Sequence, residues 1–476
     1  MQHTNLYIDG QWRDAASGDR FDVINPATEE VIASVASADL ADADAALDAA
    51  AAAFGPWAAK KPRERSEILR KAWELMTKRL EEFARLITLE NGKARADAMG
   101  EATYAAEFFR WFAEEAVRAD GMITHAPSSG ARIVVQHKPA GIAVLVTPWN
   151  YPAAMGTRKI APALAAGCPV IIKPASETPL TMLALMPLLE EAGVPKGLVN
   201  VLPSKKSGRL VDHMLHDPRV RVISFTGSTE VGRKLLHSAA DQVLKPAMEL
   251  GGNAPLIVFE DADIDKAVAG AMLAKMRNLG EACTAANRFY VHEAVSLEFT
   301  SKFSAAMTAL KMGNGLEDGI DVGPLVNADT RDKVAAFVED AVAKGARLEL
   351  GGTMPNGKGY FYPPTVLSNV PETADCVHDE IFGPVAAIQS FTDEEDVIRR
   401  ANNTEYGLVA YVFSENMKRA MQVCERLEYG MVGLNRGLVS DPAAPFGGVK
   451  QSGLGREGGH EGMLEFMETQ YISAEW

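Results

Sequence analysis

Unbroken apolar runs alternate with amphipathic stretches along much of the chain. Ile142–Val146 contains no polar residue, which is typical of a strand buried on both faces of a parallel sheet. Mostly apolar runs recur, each followed by a helical pattern: 170–172 before 179–192, 198–202 before 207–216, and 220–225 before 229–240. This alternation predicts a doubly wound α/β sheet.

A second alternation of strands and helices begins near residue 255 and continues to about residue 450. It includes an apolar run at 256–259, helical patterns at 263–279 and 327–345, and a strand-like run at 409–413. No repeat of fixed period relates the two halves of the chain. We therefore predict two α/β domains with a ligand cleft between them.

The first 120 residues are predicted to be mainly helical after a set of short strands within residues 1–35. The helical patterns cover 41–54, 62–89 and 98–118. Gly55-Pro56 is expected to end the first helix, and a flexible linker is the alternative for its alanine-rich sequence. Strand-like alternation also begins at Arg132 and covers the C-terminal residues 466–476.

The composition indicates a folded protein with an acidic surface. The 476 residues are 47% hydrophobic and 23% charged, and this length predicts two or three domains. The formal net charge of -15 argues against a nucleic-acid or anionic-membrane partner, because such partners require clustered Lys and Arg.

The cysteines and the apolar tracts indicate in which cellular compartment the protein is expected. Four cysteines are scattered without metal-ligand spacing, so we expect reduced thiols, no metal site and a cytoplasmic protein: Cys168, Cys283, Cys376 and Cys424. The N-terminal sequence lacks a signal-peptide pattern. The most apolar tract, 160–172, is interrupted by prolines and is shorter than the roughly 20 residues that span a bilayer.

Two glycine motifs could bind a dinucleotide. Gly453-Leu-Gly-Arg-Glu-Gly458 has G-x-G-x-x-G spacing, but it follows no buried strand, so we reject it as a fingerprint. Phe225-Thr-Gly227-Ser228 directly follows a buried strand and opens a helix, where free N–H groups favour a phosphate. An ordinary capped turn at Ser228 is the alternative.

Three further residues are candidates for chemistry or binding. Lys173 follows a buried strand, at the edge where open α/β sheets bind ligands, although an exposed structural Lys is the alternative. Cys283, among small residues, is a candidate nucleophile, although most free cysteines are inert. Glu249 precedes Leu-Gly-Gly and is a candidate base, although a solvated carboxylate is the simpler interpretation.

These motifs occur in an order that resembles the aldehyde dehydrogenase superfamily. The ordered set is Thr147-Pro-Trp-Asn150, Lys173-Pro-Ala-Ser176, Phe225-Thr-Gly-Ser228, Glu249-Leu-Gly-Gly252, Cys283, Glu380-Ile-Phe-Gly-Pro384 and Pro445-Phe-Gly-Gly448. Within that family the chain is most similar to succinate-semialdehyde dehydrogenases, a likeness carried by the segments 431–440 and 450–458. The resemblance covers essentially the whole chain.

The resemblance implies an NAD(P)-dependent oxidation through a thioester. Cys283 is then the nucleophile, the Asn150 amide and the Cys283 backbone N–H stabilise the oxyanion, and Glu249 activates water. Nine residues are expected to bind the cofactor, with Glu380 on the nicotinamide ribose and Phe382 against the nicotinamide: Trp149, Lys173, Ala175, Ser176, Gly227, Ser228, Leu250, Glu380 and Phe382.

Cofactor and substrate choice depend on a few positions within this pattern. Relatives that prefer NAD often carry Glu where this chain has Ser176, so we expect NADP to be accepted and preferred over NAD, with Lys173 pairing with its phosphate. Arg158, Arg277 and Ser440 match a carboxylate clamp. The expected substrate is a short ω-carboxylated aldehyde, succinic semialdehyde first and glutaric semialdehyde next; structural ion pairs are the alternative for both arginines.

Departures from the pattern leave alternatives open. Arg436 stands where relatives often have Glu. A broader aliphatic or aromatic aldehyde dehydrogenase is the second hypothesis. Ala285 replaces a second cysteine of some relatives, so no local disulfide switch is expected. A catalytically silent binding protein is the alternative of another class, whereas retained Glu249 disfavours a phosphorylating or CoA-acylating enzyme.

The resemblance also implies a domain plan and an assembly. Residues 1–120 and 140–251 would form the dinucleotide-binding domain, and residues 252–450 the catalytic domain. Residues 121–139 and 451–476 would form a small β element that joins subunits into a homodimer or homotetramer.

Overall fold

A computed structural model describes residues 3–476. Its strands, in chain order, are β1 (Leu6–Ile8), β2 (Gln11–Arg13), β3 (Arg20–Ile24), β4 (Val31–Ala36), β5 (Met122–His125), β6 (Arg132–Pro139), β7 (Ile142–Val146), β8 (Val170–Lys173), β9 (Val199–Val201), β10 (Val220–Thr226), β11 (Lys245–Glu249), β12 (Ala254–Val258), β13 (Ala286–His292), β14 (Arg347–Leu350), β15 (Thr365–Ser368), β16 (Val385–Phe391), β17 (Val409–Phe413), β18 (Met431–Leu434), β19 (Gly453–Leu454) and β20 (Met467–Ala474).

The α-helices are α1 (Leu40–Ala58), α2 (Pro62–Thr77), α3 (Leu80–Asn91), α4 (Arg95–Glu115), α5 (Ala154–Ala166), α6 (Leu180–Ala192), α7 (Ser207–Leu215), α8 (Thr229–Ala240), α9 (Ile264–Met276), α10 (Glu293–Thr308), α11 (Ala328–Ala343), α12 (Asp375–His378), α13 (Glu394–Asn402), α14 (Met417–Arg426) and α15 (Glu461–Leu464). Short 3₁₀ turns cover Arg277–Gly280 and Lys450–Ser452. Among the described residues, no helix combines the length and apolar character that a membrane crossing requires.

The first large sheet has the order β19-β11-β10-β7-β8-β9-β1-β2. Its five central strands are parallel, and β7 and β8 are buried throughout. The chain moves from β7 outward to β8 and β9, then returns to β10 on the other side of β7. This reversal places a crevice beyond the carboxyl ends of β7 and β10, where open α/β sheets bind ligands.

The second large sheet has the order β14-β15-β16-β13-β12-β17-β18 and is parallel except at β14. A separate antiparallel sheet, β20-β6-β5, joins the C-terminal segment to residues 122–139. The predicted pair of doubly wound α/β domains with a small β element is thereby confirmed. The segment 453–458 contributes β19, a short antiparallel edge strand against β11, and opens no β-α-β unit.

Several helix boundaries differ from the prediction: the helix expected over 98–118, for example, is α4, which begins and ends three residues earlier. The single helix expected over 62–89 is two helices, because Arg79 has the non-helical angles φ −119° and ψ 18°. The break allows α3 to pack against α4 and α6. The helix expected to end at Gly55 continues through Pro56, because buried Trp57 donates from Nε1 to Leu164 O at 3.0 Å and anchors the last turn.

The helix expected over 263–279 ends earlier, at Met276. Asn278 and Leu279 adopt left-handed backbone angles, with φ of 52° and 54°. These two residues turn the chain sharply, and this turn directs residues 277–283 toward the crevice of the first sheet.

Candidate active site

A cavity of about 270 Å³ lies where the crevice of the first sheet meets the second domain. Eleven of the fifteen residues predicted for the site line it: Trp149, Asn150, Arg158, Gly227, Ser228, Leu250, Arg277, Cys283, Glu380, Phe382 and Ser440. They come from both domains and from segments up to about 290 positions apart in the sequence (roughly Trp149 to Ser440). The fold therefore gathers most of the predicted set around one enclosed space.

Cys283 lies on the loop between the 3₁₀ turn and β13. Burial raises the pKa of its thiol to about 12, and the nearby carboxylates of Glu380 and Glu249 act in the same direction. The thiol therefore keeps its proton at neutral pH until a base or a charge change in the site removes it. Gly252 packs against the backbone here: a Cβ on it would lie 2.4 Å from Cys283 O.

Asn150 lies in the turn after β7 and is buried. Its Nδ2 donates to Glu281 O at 3.0 Å, two residues before Cys283 in the sequence. The amide has a second hydrogen, so it can also donate toward the cavity. The Asn150 side chain thus links the turn after β7 to the loop that carries Cys283.

Glu249 lies at the end of β11, behind the cavity rather than in its wall. Its side chain is 2% exposed, and neither carboxylate oxygen has a hydrogen-bond partner among residues 3–476. Burial raises its pKa well above the usual value, and the charge of Glu457 adds to this, against the opposing charges of Arg158 and Lys159. A buried carboxylate with a raised pKa and no hydrogen-bond partner has the properties expected of a general base that takes a proton from water.

The buried ion pair of Lys159 and Glu457, which lies close to Glu249, was not identified from the sequence. Buried Lys159 donates to Ser224 Oγ at 2.8 Å and also contacts the Glu457 carboxylate. Glu457 belongs to the glycine motif 453–458, and nothing in the spacing of that motif indicates that its glutamate lies close to Glu249. Only its folded position, next to a lysine nearly 300 residues away, reveals it.

Two arginines lie at the wall of the cavity. Arg158 stacks on the Phe446 ring at 4.0 Å, and its Nε lies 2.9 Å from Glu457 Oε2. That contact is too far out of line to be a hydrogen bond, and Nη2 also has no acceptor within the described chain. Arg277 Nη2 lies 3.5 Å from Ser440 Oγ, at the limit of a hydrogen bond.

The salt bridges distinguish the two arginines. Arg277 makes no salt bridge to a carboxylate of the described residues, whereas Glu457 partly compensates Arg158. Arg277 is therefore the stronger candidate for binding an anionic group of a ligand. Tyr104 and Tyr151 also line this region, and their hydroxyl groups are buried without partners in the described structure. No spacing or motif in the sequence distinguishes these tyrosines from core residues.

The opposite side of the cavity has the features of a dinucleotide cradle. Gly227 and Ser228 follow β10, and Ser228 Oγ caps α8 by accepting from Val231 N at 3.3 Å. Glu380 Oε1 accepts from Gly252 N at 3.1 Å, and burial raises the pKa of this carboxyl to about 7. Phe382, at φ 57°, presents its ring edge-on to Trp149 at 5.4 Å.

Lys173, Ala175 and Ser176 lie outside the cavity: Lys173 is the last residue of β8, and the other two follow it in the chain. Lys173 is buried, and its Nζ donates to Ser207 Oγ at 3.0 Å. Burial lowers its pKa to about 8. Ser176 borders a separate surface cavity and donates to Glu177 at 3.1 Å. These residues continue the crevice from β7 to β8, because Thr147 N donates to Lys173 O at 3.2 Å.

Comparison with known proteins assigns the family. The sequence pattern of the aldehyde dehydrogenase family matches residues 12–472. A succinate-semialdehyde dehydrogenase of Paenarthrobacter nicotinovorans is 55% identical, over 93% of this chain and 98% of the relative. A glutarate-semialdehyde dehydrogenase of Pseudomonas putida is 47% identical, over 98% and 96%.

A solved structure agrees with these sequence relatives. The crystal structure of an NADP-dependent enzyme of Escherichia coli superposes with a TM-score of 0.98 at 45% identity, covering 100% of this chain and 98% of that one. The family match, the two relatives and this structure each span nearly the full length. The chain therefore belongs to the aldehyde dehydrogenase family, as the ordered motifs predicted.

Proposed function

We propose that this protein oxidises short aldehydes that carry a terminal carboxylate, succinic semialdehyde first, to the corresponding acids with NADP or NAD. One observation carries the substrate class: Arg277, with no carboxylate partner in the described chain, lines the same cavity as Cys283. A bound carboxylate would supply the missing counter-charge in planar, paired geometry. The relatives named for succinate and glutarate semialdehydes support the same class.

The first step forms a bond between Cys283 Sγ and the aldehyde carbon. The thiol proton leaves to a base, and the carbonyl oxygen gains negative charge. The Asn150 amide and the Cys283 backbone N–H donate to that oxygen, and removing one such donor typically lowers the rate about 100- to 1,000-fold. The nicotinamide, when bound, supplies the hydride acceptor, and the acyl group remains on Cys283 as a thioester.

The second step returns the cysteine to its free form. Glu249 accepts a proton from water, the resulting hydroxide attacks the thioester carbonyl, and the carbon–sulfur bond breaks. The acid leaves and Cys283 regains a proton. The raised pKa of Glu249 makes it a stronger base than an exposed carboxylate, as base catalysis near neutrality favours. Its position behind the cavity requires a side-chain rotation or a linking water to reach the thioester.

The residues present fit a dinucleotide. Lys173 uses one hydrogen bond, which leaves two of its donors without a partner in the described chain. The N-terminus of α8 presents free backbone N–H groups at Ser228. Glu380 would accept the ribose hydroxyls, and Trp149, Leu250 and Phe382 would enclose the nicotinamide. Ala175, two residues after Lys173, is buried and apolar.

We propose that NADP is preferred because of Ser176. A serine at this position leaves room for the adenosine 2′-phosphate and adds no negative charge beside it, and buried Lys173, three residues earlier, supplies a cation. Glu177 is the opposing charge, since its carboxylate accepts from Ser176 Oγ at 3.1 Å. Binding of a phosphate would therefore break the Ser176–Glu177 contact.

Steady-state kinetics test the proposal directly. We expect the highest kcat/KM for succinic semialdehyde, a lower value for glutaric semialdehyde and the lowest for benzaldehyde, with NADP better than NAD for each. A preference for benzaldehyde would support the broader-specificity alternative. A strong preference for NAD would refute the assignment of Ser176.

We also propose the domain limits and an assembly. The dinucleotide-binding domain would comprise 1–120 and 140–251, and the catalytic domain 252–450. The sheet β20-β6-β5 would pair subunits into a homodimer or homotetramer, since it exposes apolar Ile123 (70%) and Tyr471 (60%). A cytoplasmic location fits four cysteines that are all free in the structure. Light scattering of the purified protein measures the assembly.

A further inference from the structure

Lys93 and Glu101 form an ion pair outside the cavity that the proposed chemistry does not use. Both side chains have no exposed surface, and Lys93 Nζ lies 2.5 Å from Glu101 Oε2. Burying two charges is costly and is offset only where further hydrogen bonds complete the pair. The partners of these extra hydrogen bonds therefore indicate what the pair does.

All of the additional hydrogen bonds go to one segment, residues 150–154. Lys93 Nζ donates to Asn150 O at 2.7 Å. Glu101 Oε1 accepts from Ala153 N at 2.8 Å and from Ala154 N at 3.3 Å. The Lys93 ammonium also lies 4.0 Å from the centre of the Tyr151 ring. The two charges thus hold the backbone on both sides of the Asn150 side chain.

The segment needs this support because its own sequence offers none. Ala153, the N-terminal cap of α5, has no side chain that can satisfy the first N–H groups of the helix. The Glu101 carboxylate, which belongs to helix α4, accepts from these N–H groups instead. Its negative charge also interacts favourably with the positive N-terminal end of the α5 dipole. Lys93 in turn neutralises Glu101 and takes up the Asn150 carbonyl.

A second carboxylate of the same helix holds the turn before the nucleophile. Asp97 lies one helical turn before Glu101 on α4, and its Oδ2 accepts from Asn278 N at 2.8 Å. The Asn278 side chain then donates to Asn150 O and to Glu281 O, at 3.0 Å each. Helix α4 therefore fixes both sides of the contact between the Asn150 amide and the Cys283 loop.

We propose that Lys93 and Glu101 are positioning residues that set the Asn150 amide relative to Cys283, with Asp97 fixing the opposite side through Asn278. This inference rests on the proposed function, because it takes Asn150 as the donor to the oxyanion. A shift of about 1 Å in such a group lowers a rate by about 100-fold. The pair thus acts on catalysis through Asn150 rather than by touching substrate or cofactor.

A double-mutant cycle on a single-turnover rate separates positioning from stability. The rate of NADPH formation is measured for the unaltered enzyme, Lys93→Met, Asn150→Ala and the double variant, with succinic semialdehyde and NADP at saturation. We expect Lys93→Met to lower the rate about 10- to 100-fold. In the Asn150→Ala background we expect Lys93→Met to change it by less than about twofold, because the group that it positions is gone.

Two further variants control for a failure to fold and for a loss of rate that comes only from lower stability. If Lys93→Met does not fold, the same cycle is run with Glu101→Gln, which keeps the size of the side chain and an acceptor for Ala153 N. Arg65→Met is the matched control: buried Arg65 donates to Ala165 O at 3.0 Å and holds the opposite end of α5. It should lower the melting temperature and leave the single-turnover rate within about twofold.

The outcomes are distinct. A loss that disappears in the Asn150→Ala background supports positioning. Equal fold-losses in both backgrounds, or no loss of rate in a folded Lys93 variant, would overturn it and leave the pair a purely structural element. An Asn150→Ala enzyme with an unchanged rate would instead refute the proposed oxyanion role of Asn150, and the positioning inference with it.

Discussion

Gly252 lies so close to Cys283 that a Cβ at position 252 would be 2.4 Å from the Cys283 carbonyl oxygen. The same glycine donates its backbone N–H to Glu380 at 3.1 Å. One residue therefore fixes the distance between the loop of the nucleophile and a carboxylate assigned to the cofactor. Only a residue without a side chain allows both contacts at once.

Gly252→Ala should displace the Cys283 loop and lower kcat about 100-fold, because small misplacements of a nucleophile are costly. The measurement is kcat with succinic semialdehyde, together with the melting temperature. Gly55→Ala is the control, since Gly55 lies in α1 with open space where its Cβ would be. A Gly252→Ala enzyme with full activity would show that the loop tolerates the shift.

The pH dependence of kcat should follow the ionisation of Glu249. Burial raises its pKa, so the carboxylate form, which we propose activates water, is depleted at low pH and recovers as the pH rises through that raised value. We expect kcat to rise with pH to a plateau, with an apparent pKa above the ordinary range of a carboxyl group. Glu249→Gln should lower the steady-state rate about 100- to 10,000-fold, whereas Glu74→Gln, on an exposed helix face, should not.

Arg277→Ala should raise KM for succinic semialdehyde about 10- to 100-fold. The reason is that a hydrogen bond to a charged group contributes roughly 1.5–3 kcal/mol to binding, and the variant loses it. The KM for butanal, which has no carboxylate, should change by less than about threefold by the same argument. Exposed Arg399, which lies on α13 and does not line the cavity, is the control for removal of a positive charge. Equal effects on both aldehydes would remove the argument for a carboxylated substrate.

The affinity for NADP should weaken as the pH rises above about 8, where free Lys173 loses its proton. The sign follows from the charge: the ammonium form present below this pKa attracts the 2′-phosphate, and the neutral amine does not. The KM for NAD should be flatter over the same range. Ser176→Glu should reverse the preference toward NAD by placing a negative charge beside the phosphate; an unchanged ratio of kcat/KM values would contradict the assignment.

Local patterns were sufficient to predict most strands and helices. Buried strands such as β7 and β17 show as unbroken apolar runs, and the order of motifs indicated the family. The break at Arg79 did not show, because Leu69, Met76, Phe83 and Ile87 keep helical spacing across it while packing in one core. The left-handed turn at Asn278 and Leu279 also had no signal, since leucine rarely adopts such angles and only tertiary contacts hold it there.

The sequence predicts those site residues that fall within recognisable motifs. It does not predict those whose role arises from contacts between residues far apart in the chain. Lys93, Glu101 and Glu457 are ordinary surface residue types in the sequence, yet the fold buries all three. Tyr104 looks like one more aromatic residue on a helix. Their roles depend on partners between eight and almost 300 positions away, and no local pattern records such pairings.

Covalent trapping on Cys283 tests the central claim most directly. Glu249→Gln enzyme is mixed with succinic semialdehyde and NADP, quenched in acid and analysed by intact-protein and peptide mass spectrometry. We predict a burst of one NADPH per site and a succinyl group on the Cys283 peptide, absent from Cys168, Cys376 and Cys424. A burst without an adduct on Cys283, or an adduct on another cysteine, would contradict the account.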